Sequence, residues 1–312
     1  MSDLAHPVAQ AGERLFAQHC GVDAVNRAEQ GEWPLALWQG IEALGAGQLL
    51  VPENRGGAGG DWHDACLLLE RAGEHNAPVP IAETLLAAWL LDCAGLPLPS
   101  GALALACSDA ELLHTASPGR LSLQLRKVPW ASACTNLVVA APHGDGTALL
   151  YVPRAAFKVT RGVALSGEPR DDVSIADLDI AGAGVALRRI EALGYIECLS
   201  RAALLRAALM AGACRRVLAL TLQYTSERIQ FGRAIGQFQA VQHQLVQLAE
   251  EAAAARVAVH AAAITTDPRW CVAANAAAKL RAGEAAGLAV RIAHQLHGAI
   301  GITIEHALHQ ST

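Results

Sequence analysis

The spacing of apolar residues changes twice along this chain, and that change limits its architecture more than any other feature. From Pro7 to about Gly95, apolar positions recur three and four apart, as in LALWQGIEALGAGQLL and DACLLLERAGEH. That is the period of helices with one buried face. Around Leu96 the text LPLPSG reads as a linker. Short runs follow, among them ALALAC, LSLQLR, NLVVAAP, TALLYVP and VSIADLDI, separated by Gly, Pro, Asp and Ser, and these read as strands of a small β domain. From Arg188 the helical period returns, through LSRAALLRAALMAGACRRVLALTLQYTSER, then Ala240 to Thr265, then Pro268 to about His297. The expected fold is mostly α with a small β domain: a helical domain over residues 1–100, the β domain over 101–187 and a helical bundle over 188–312.

A chain of 312 residues, 53% apolar and 17% charged, has enough core-forming text for two or three modest domains. The charges are scattered and sum to −5, so no basic face for nucleic acid or anionic lipid is expected. The opening MSDLAHPVAQAGERL has no basic stretch followed by an apolar core, and the long apolar runs are interrupted, as by Arg206, Arg215 and Arg216. The expected compartment is the cytoplasm. Eight cysteines lie far apart, with no CxxC pair and no Cys/His ligand spacing, which points to reduced, mostly buried thiols and no metal site. The glycines of VPENRGGAGGDW are followed by no Lys-Ser or Lys-Thr, so this loop reads as a turn rather than a phosphate cradle.

Three segments carry candidate chemistry. In SERIQFGRAIGQFQAVQ, Arg228 closes a helical pattern, and Phe231-Gly232 with Gly236 turn the chain before the next helix. A permanently charged fork beside exposed backbone amides suits a pyrophosphate, and it equally suits the offset of a helix dipole. Gln239 and Gln242, three apart on one helical face, are amide donors for the same ligand or solvated side chains. In QLHGAIGIT, Gly298 and Gly301 follow the last long helix; they permit close approach of a ligand to the backbone, or cap the helix. In VPWAS, Trp130 and Ser132 stand within the β text, where the indole has a packing role open to it as well.

ERIQFGRAIGQFQAVQHQLVQLA together with QLHGAIGIT resembles the paired C-terminal signatures of the acyl-CoA dehydrogenase family, flavoproteins that desaturate acyl-CoA thioesters. LWQGIEALGAGQLLVPENRGGAGGDW and LERAGEHNAPVPIAETLLAAWLL resemble the family's N-terminal helices. The resemblance spans nearly the whole chain. It implies that FAD is the cofactor, with Arg228, Gln230, Phe231 and Gln239 on one part of it and Gln295, His297, Gly298 and Gly301 on another. The site is then assembled across subunits, which implies an oligomer. Trp130 and Ser132 correspond to the pair that lines the flavin ring, and an electron-transferring flavoprotein is the implied redox partner.

The chain also departs from that pattern. The family's Thr-Glu-Pro and Gly-Ser-Asp segment is replaced by ALACSDAELLHTASPGRLSLQLRKVPWAS, so the middle β domain is shortened between Ala106 and Leu121. The catalytic Glu of the family stands near the start of the helix leading to the arginine motif, where this chain reads Ser200-Arg201-Ala202-Ala203, or well beyond the glycine motif, where it reaches Thr312 eleven residues after Gly301. Glu197, one turn before Arg201, is the substitute nearest to hand, and Glu305 corresponds to no usual base. Retained cofactor contacts without an evident base resemble the smaller subunits of heteromeric dehydrogenases that act on steroid side chains or ring remnants. The expected role is completion of a partner's FAD site; a self-sufficient homo-oligomeric dehydrogenase and a redox-inactive scaffold are the alternatives.

Overall fold

The computed structural model describes residues 7–109, 119–303 and 305–312. The segment 110–118, which contains most of the shortened stretch expected from the sequence, lies outside the described residues. The chain forms two units, each described on its own.

The first unit is helical. It contains α1 (Pro7–His19), most of α2 (Val22–Glu29), α4 (Trp62–Glu74), the greater part of α6 (Tyr195–Glu227), α7 (Gln239–Ala263) and α8 (Pro268–His297). Asp267 caps α8, accepting a hydrogen bond from the Arg269 amide, and Pro268 occupies the first turn, where its missing N–H costs nothing. α7 and α8 pack along each other. Their buried positions are largely alanine, including Ala252, Ala255, Ala278, Ala282, Ala285 and Ala289, and such small side chains let helix axes approach closely. On α4, the buried Glu70 faces α7, with its carboxylate 2.8 Å from His260 Nε2 and 3.3 Å from Arg256 Nε.

The second unit contains α3 (Leu35–Ala43), α5 (Ile81–Cys93), the first turns of α6 and the sheets. The helical period of LALWQGIEALGAGQLL predicts one continuous helix, but α3 ends at Ala43, because Gly45 adopts φ +65° and a short 3-10 turn over Ala46–Gln48 follows. Strands β1 (Leu103–Cys107), β3 (Asn136–His143), β4 (Gly146–Pro153) and β7 (Ala186–Ile190) form a sheet in the order β1-β3-β4-β7, parallel only between β1 and β3. β3 and β4 are buried on both faces, which is why their text is continuously apolar rather than alternating. A second, antiparallel sheet runs β2 (Arg120–Pro129), β6 (Arg170–Asp179), β5 (Lys158–Thr160). β2 alternates exposed and buried residues, as a strand with one wet face must.

Among the described residues, no helix is long and apolar enough to cross a membrane.

Candidate functional site

Arg228 follows the last residue of α6, its amide still bonded to the Tyr224 carbonyl. The chain then makes a hairpin from β8 (Ile229–Gln230) and β9 (Arg233–Ala234), paired Ile229 to Ala234 and Gln230 to Arg233. Its two-residue loop is Phe231-Gly232, with φ +53° and +81°. Two successive positive φ values are the signature of a tight hairpin turn matched to strand twist. The sequence predicts only a plain turn here, since two-residue strands are too short to show alternation. Phe231 is 92% exposed; its ring meets Phe238 edge-on, and Arg233 lies over Phe238 at 4.1 Å. Arg228, Gln230, Gln239 and Gln242 are all exposed, and the Gly232 α-carbon faces open space.

The glycine segment sits beside this hairpin. Tyr224, one helical turn before Arg228, stacks on His297 with ring centroids 4.4 Å apart, and its hydroxyl donates to the His297 carbonyl at 3.4 Å. The ends of α6 and α8 therefore meet, and two motifs far apart in sequence become neighbours. Gln295 and Gly298 are exposed; Gly298, at φ +64°, has open space around it. His297 and Gly301 face inward. A Cβ on Gly301 would stand 2.9 Å from His297 Cβ and 3.1 Å from Leu308, so this glycine permits close packing beneath the corner. His297 Nδ1 donates to the Ala293 carbonyl at 2.8 Å, and burial holds its pKa below the ordinary imidazole value. His306, edge-on to both His297 and Tyr224, is shifted the same way, again chiefly by burial. Sequence reasoning missed Tyr224 and His306. An aromatic one turn before an arginine that ends a helix was the available signal.

The second unit holds Trp130 and Ser132 in one corner. Trp130 has φ +58°, uncommon for a residue with a side chain, and three hydrogen bonds sustain it. Its amide donates to Pro169 O, its carbonyl accepts from Ala133 N, and its indole Nε1 donates to Glu168 at 3.1 Å. Glu168 in turn pairs with Arg170 at 2.6 Å. The Ser132 amide donates to the fully buried Asp171 carboxylate at 2.7 Å, and Gly162 N donates to its other oxygen at 3.1 Å. Trp130, Ser132 and Asp171 line a cavity of about 510 Å³ whose wall also includes Trp33, Glu29 and Arg161. Two indoles with a few polar groups make a pocket suited to a flat heteroaromatic ring. Glu197 lies in the first turn of α6, with its carboxylate 3.7 Å from Arg201. Glu305 is exposed.

A helical unit carrying the arginine hairpin and the glycine corner, and a second unit carrying two sheets, are the parts expected of the acyl-CoA dehydrogenase class. The family model for the acyl-CoA dehydrogenase N-terminal domain matches residues 7–95, and that for the C-terminal domain matches residues 195–311. Acyl-CoA dehydrogenase IpdE2 of Mycobacterium tuberculosis is 34% identical over 95% of this chain and 85% of its own length. Among solved structures, a variant of the Tcur3481-Tcur3483 steroid ACAD superposes with a TM-score of 0.81 at 28% identity, covering 97% of this chain and 89% of that one. The ChsE4-ChsE5 complex from Mycobacterium tuberculosis gives 0.86 at 22% identity, covering 100% and 91%, a likeness of fold. The chain belongs to the acyl-CoA dehydrogenase family, whose members are FAD-dependent oxidoreductases.

Proposed function

We propose that this chain is a subunit of a heteromeric acyl-CoA dehydrogenase, acting on a bulky acyl-CoA of steroid origin, and that it completes the FAD site of a partner subunit. The observation that carries this reading is the Tyr224–His297 stack, which sets the exposed Arg228 fork and the open Gly298 backbone in one corner. The residues fit the cofactor. Arg228 presents a planar pair of donors to a diphosphate, and the hairpin amides stand beside it. Gln230 and Gln239 add amide donors, and Phe231 offers a flat apolar face. Gln295 and Gly298, both exposed, would hold the adenosine end, and His297 and Gly301 are packed inward at the same corner. Trp130 and Ser132 would line the ring of bound FAD, with Glu168 holding the indole and Asp171 the Ser132 amide.

Bound FAD supplies the two-electron acceptor for α,β-desaturation of an acyl-CoA thioester, with an electron-transferring flavoprotein as the onward partner. The reaction also needs a carboxylate that removes the α proton. Glu197, the acid in the first turn of α6, is committed to Arg201, and Ser200 to Ala203 add no other. That favours a base contributed by the partner. Two-component assemblies among the similar structures, the Tcur3481-Tcur3483 enzyme and the ChsE4-ChsE5 complex, support the same arrangement.

The test is the visible spectrum of the chain purified alone and with candidate partner subunits. The expected result is colourless protein alone, and a yellow complex that an acyl-CoA bleaches. Within that complex, Arg228→Ala weakens FAD retention roughly 10- to 100-fold, the loss of one charge-assisted hydrogen-bond pair. Yellow protein that turns over unaided overturns the reading in favour of a self-sufficient homo-oligomer using Glu197. Colourless protein under both regimes leaves a redox-inactive scaffold.

A further inference from the structure

The second unit has another cavity, of about 300 Å³, which shares no lining residue with the one at Trp130. It lies among α3, α5 and the segment that leads into β1. Trp38 and Ile41 of α3 and Thr84 and Ala88 of α5 are buried and form its inner wall, whereas Glu42 and Ser100 are exposed and stand at its mouth. Hydrogen bonds hold these walls in place. The Gly101 amide donates to Glu42 Oε1 at 2.9 Å, and Thr135 Oγ1 lies 3.3 and 3.1 Å from the carbonyl oxygens of Ser100 and Ala102. Gly101 has φ +88°, and a Cβ on it would stand 2.6 Å from Thr135 Oγ1, so the turn at the mouth requires a glycine. The Thr84 hydroxyl is engaged as well, since it accepts from Leu103 N at 3.1 Å and donates to Leu103 O at 3.5 Å. Three polar groups are left over. Trp38 is only 5% exposed, and a buried indole ordinarily has an acceptor for its N–H, yet among the described residues none accepts from it. Among the same residues, the Gln48 carboxamide and the second oxygen of Glu42 also have no partner.

We propose that this cavity binds a small amphipathic amine, with the ammonium against Glu42 at the mouth, the apolar body against Trp38, Ile41 and Ala88, and an oxygen on that body accepting from the Trp38 indole or the Gln48 amide. An apolar interior with a few convergent polar groups is the makeup of a small-molecule site, and this volume lies at the small end of the usual range. The charge of the ligand follows from the lining. Glu42 is the one ionisable residue in the wall, and no basic residue there offsets it. An ammonium is therefore attracted, and a carboxylate or phosphate is repelled. The same sign of charge opposes the phosphates of an acyl-CoA or of FAD, which sets this site apart from the arginine and glycine corner. The preformed wall fits such a role, because little ordering is left for the ligand to impose.

The test uses the full chain, isotope-labelled on nitrogen, and three compounds of one skeleton: tyramine, the neutral alcohol tyrosol and the anion para-hydroxyphenylacetate. Correlation spectra report the indole N–H signals of the six tryptophans. Tyramine at millimolar concentration is expected to move one of them saturably, and Trp38→Phe identifies that signal by its loss. Tyrosol should bind more weakly than tyramine, and para-hydroxyphenylacetate more weakly still. Glu42→Gln keeps an acceptor for the Gly101 amide and removes the charge; it should weaken tyramine binding roughly fivefold, the upper end for an ion pair at an exposed mouth. The proposal is overturned if no indole signal saturates, if the signal that moves is not that of Trp38, if tyrosol or para-hydroxyphenylacetate binds as tightly as tyramine, or if Glu42→Gln leaves the affinity unchanged. Glu42 is exposed, so its variant decides the matter even if Trp38→Phe does not fold.

Discussion

His297 shows how one enclosed side chain ties the candidate site to solution conditions. With Nδ1 donating to Ala293 O, only Nε2 is left to take a proton, and it is buried without a hydrogen-bond partner among the described residues. His306 and His294 lie close enough to oppose a further positive charge. Both His297 and His306 have folded-state pKa values below the ordinary 6.5, so the unfolded chain binds protons first as the solution is acidified. Stability from these two groups is therefore complete above about pH 6.5 and declines as pH falls below it. Thermal melts between about pH 5 and 8 should show a steady midpoint at neutral pH and a falling one on the acid side. His297→Asn should flatten that acid limb, and an unchanged limb would remove His297 as its cause. At this scale the sequence singles out Arg228 and Gly298 as candidates through a fixed charge and a missing side chain, and both stand exposed. Trp130's left-handed backbone and its bond to Glu168 were not legible, since that partner lies 38 residues away.

Helix α4 sets the spacing of the helical unit through two glycines whose use becomes visible only in the packed pair. A Cβ on Gly73 would stand 2.1 Å from the Leu209 carbonyl oxygen, and one on Gly212 would stand 2.0 Å from the Glu70 carbonyl oxygen. The backbones of α4 and α6 are thus in contact from both sides, with no room for a methyl group. Gly212→Ala raises helix propensity by about 1 kcal/mol, yet the forced separation costs more, about 1–3 kcal/mol of overpacking, with the displaced Glu70 network added. The expected outcome is a lower unfolding midpoint in denaturant with an unchanged slope. A midpoint at or above that of the parent protein would show that the two helices can separate freely. The helices themselves were legible from their period, with α7 and α8 starting within one residue of the text that predicted them. The premature end of α3 and the β8–β9 hairpin were not, because each depends on positive φ at single residues, Gly45 in one and Phe231-Gly232 in the other.

Across the whole molecule, the succession of helices, strands and helices follows from the change of period, but the strand order does not. The parallel pairing of β1 with β3 leaves β2 to the other sheet, and no local pattern records such a skip. A second whole-molecule property lies on the outer faces of the last two helices. Solvent-facing helical positions are ordinarily charged. Here α7 exposes Val246, Ala253 and Val257 with Glu250 among them, and α8 exposes Ala273, Ala276, Ala277 and Leu280. Val257 is 67% exposed and Leu280 66%. Small and branched apolar side chains on two adjacent helices are the makings of a helix-to-helix interface, isologous if the second chain is a copy and heterologous if it is a different subunit. Sedimentation should give a mass at least twice the 32.5 kDa of one chain, for the chain alone or with its partner. Leu280→Lys places a charge within that face and leaves the core untouched, so it should shift the distribution toward monomer with little change in the melting temperature of the isolated chain. Unaltered assembly in that variant would mean that the outer face of α8 is not where subunits join, and it would direct attention to the exposed Phe231 hairpin instead.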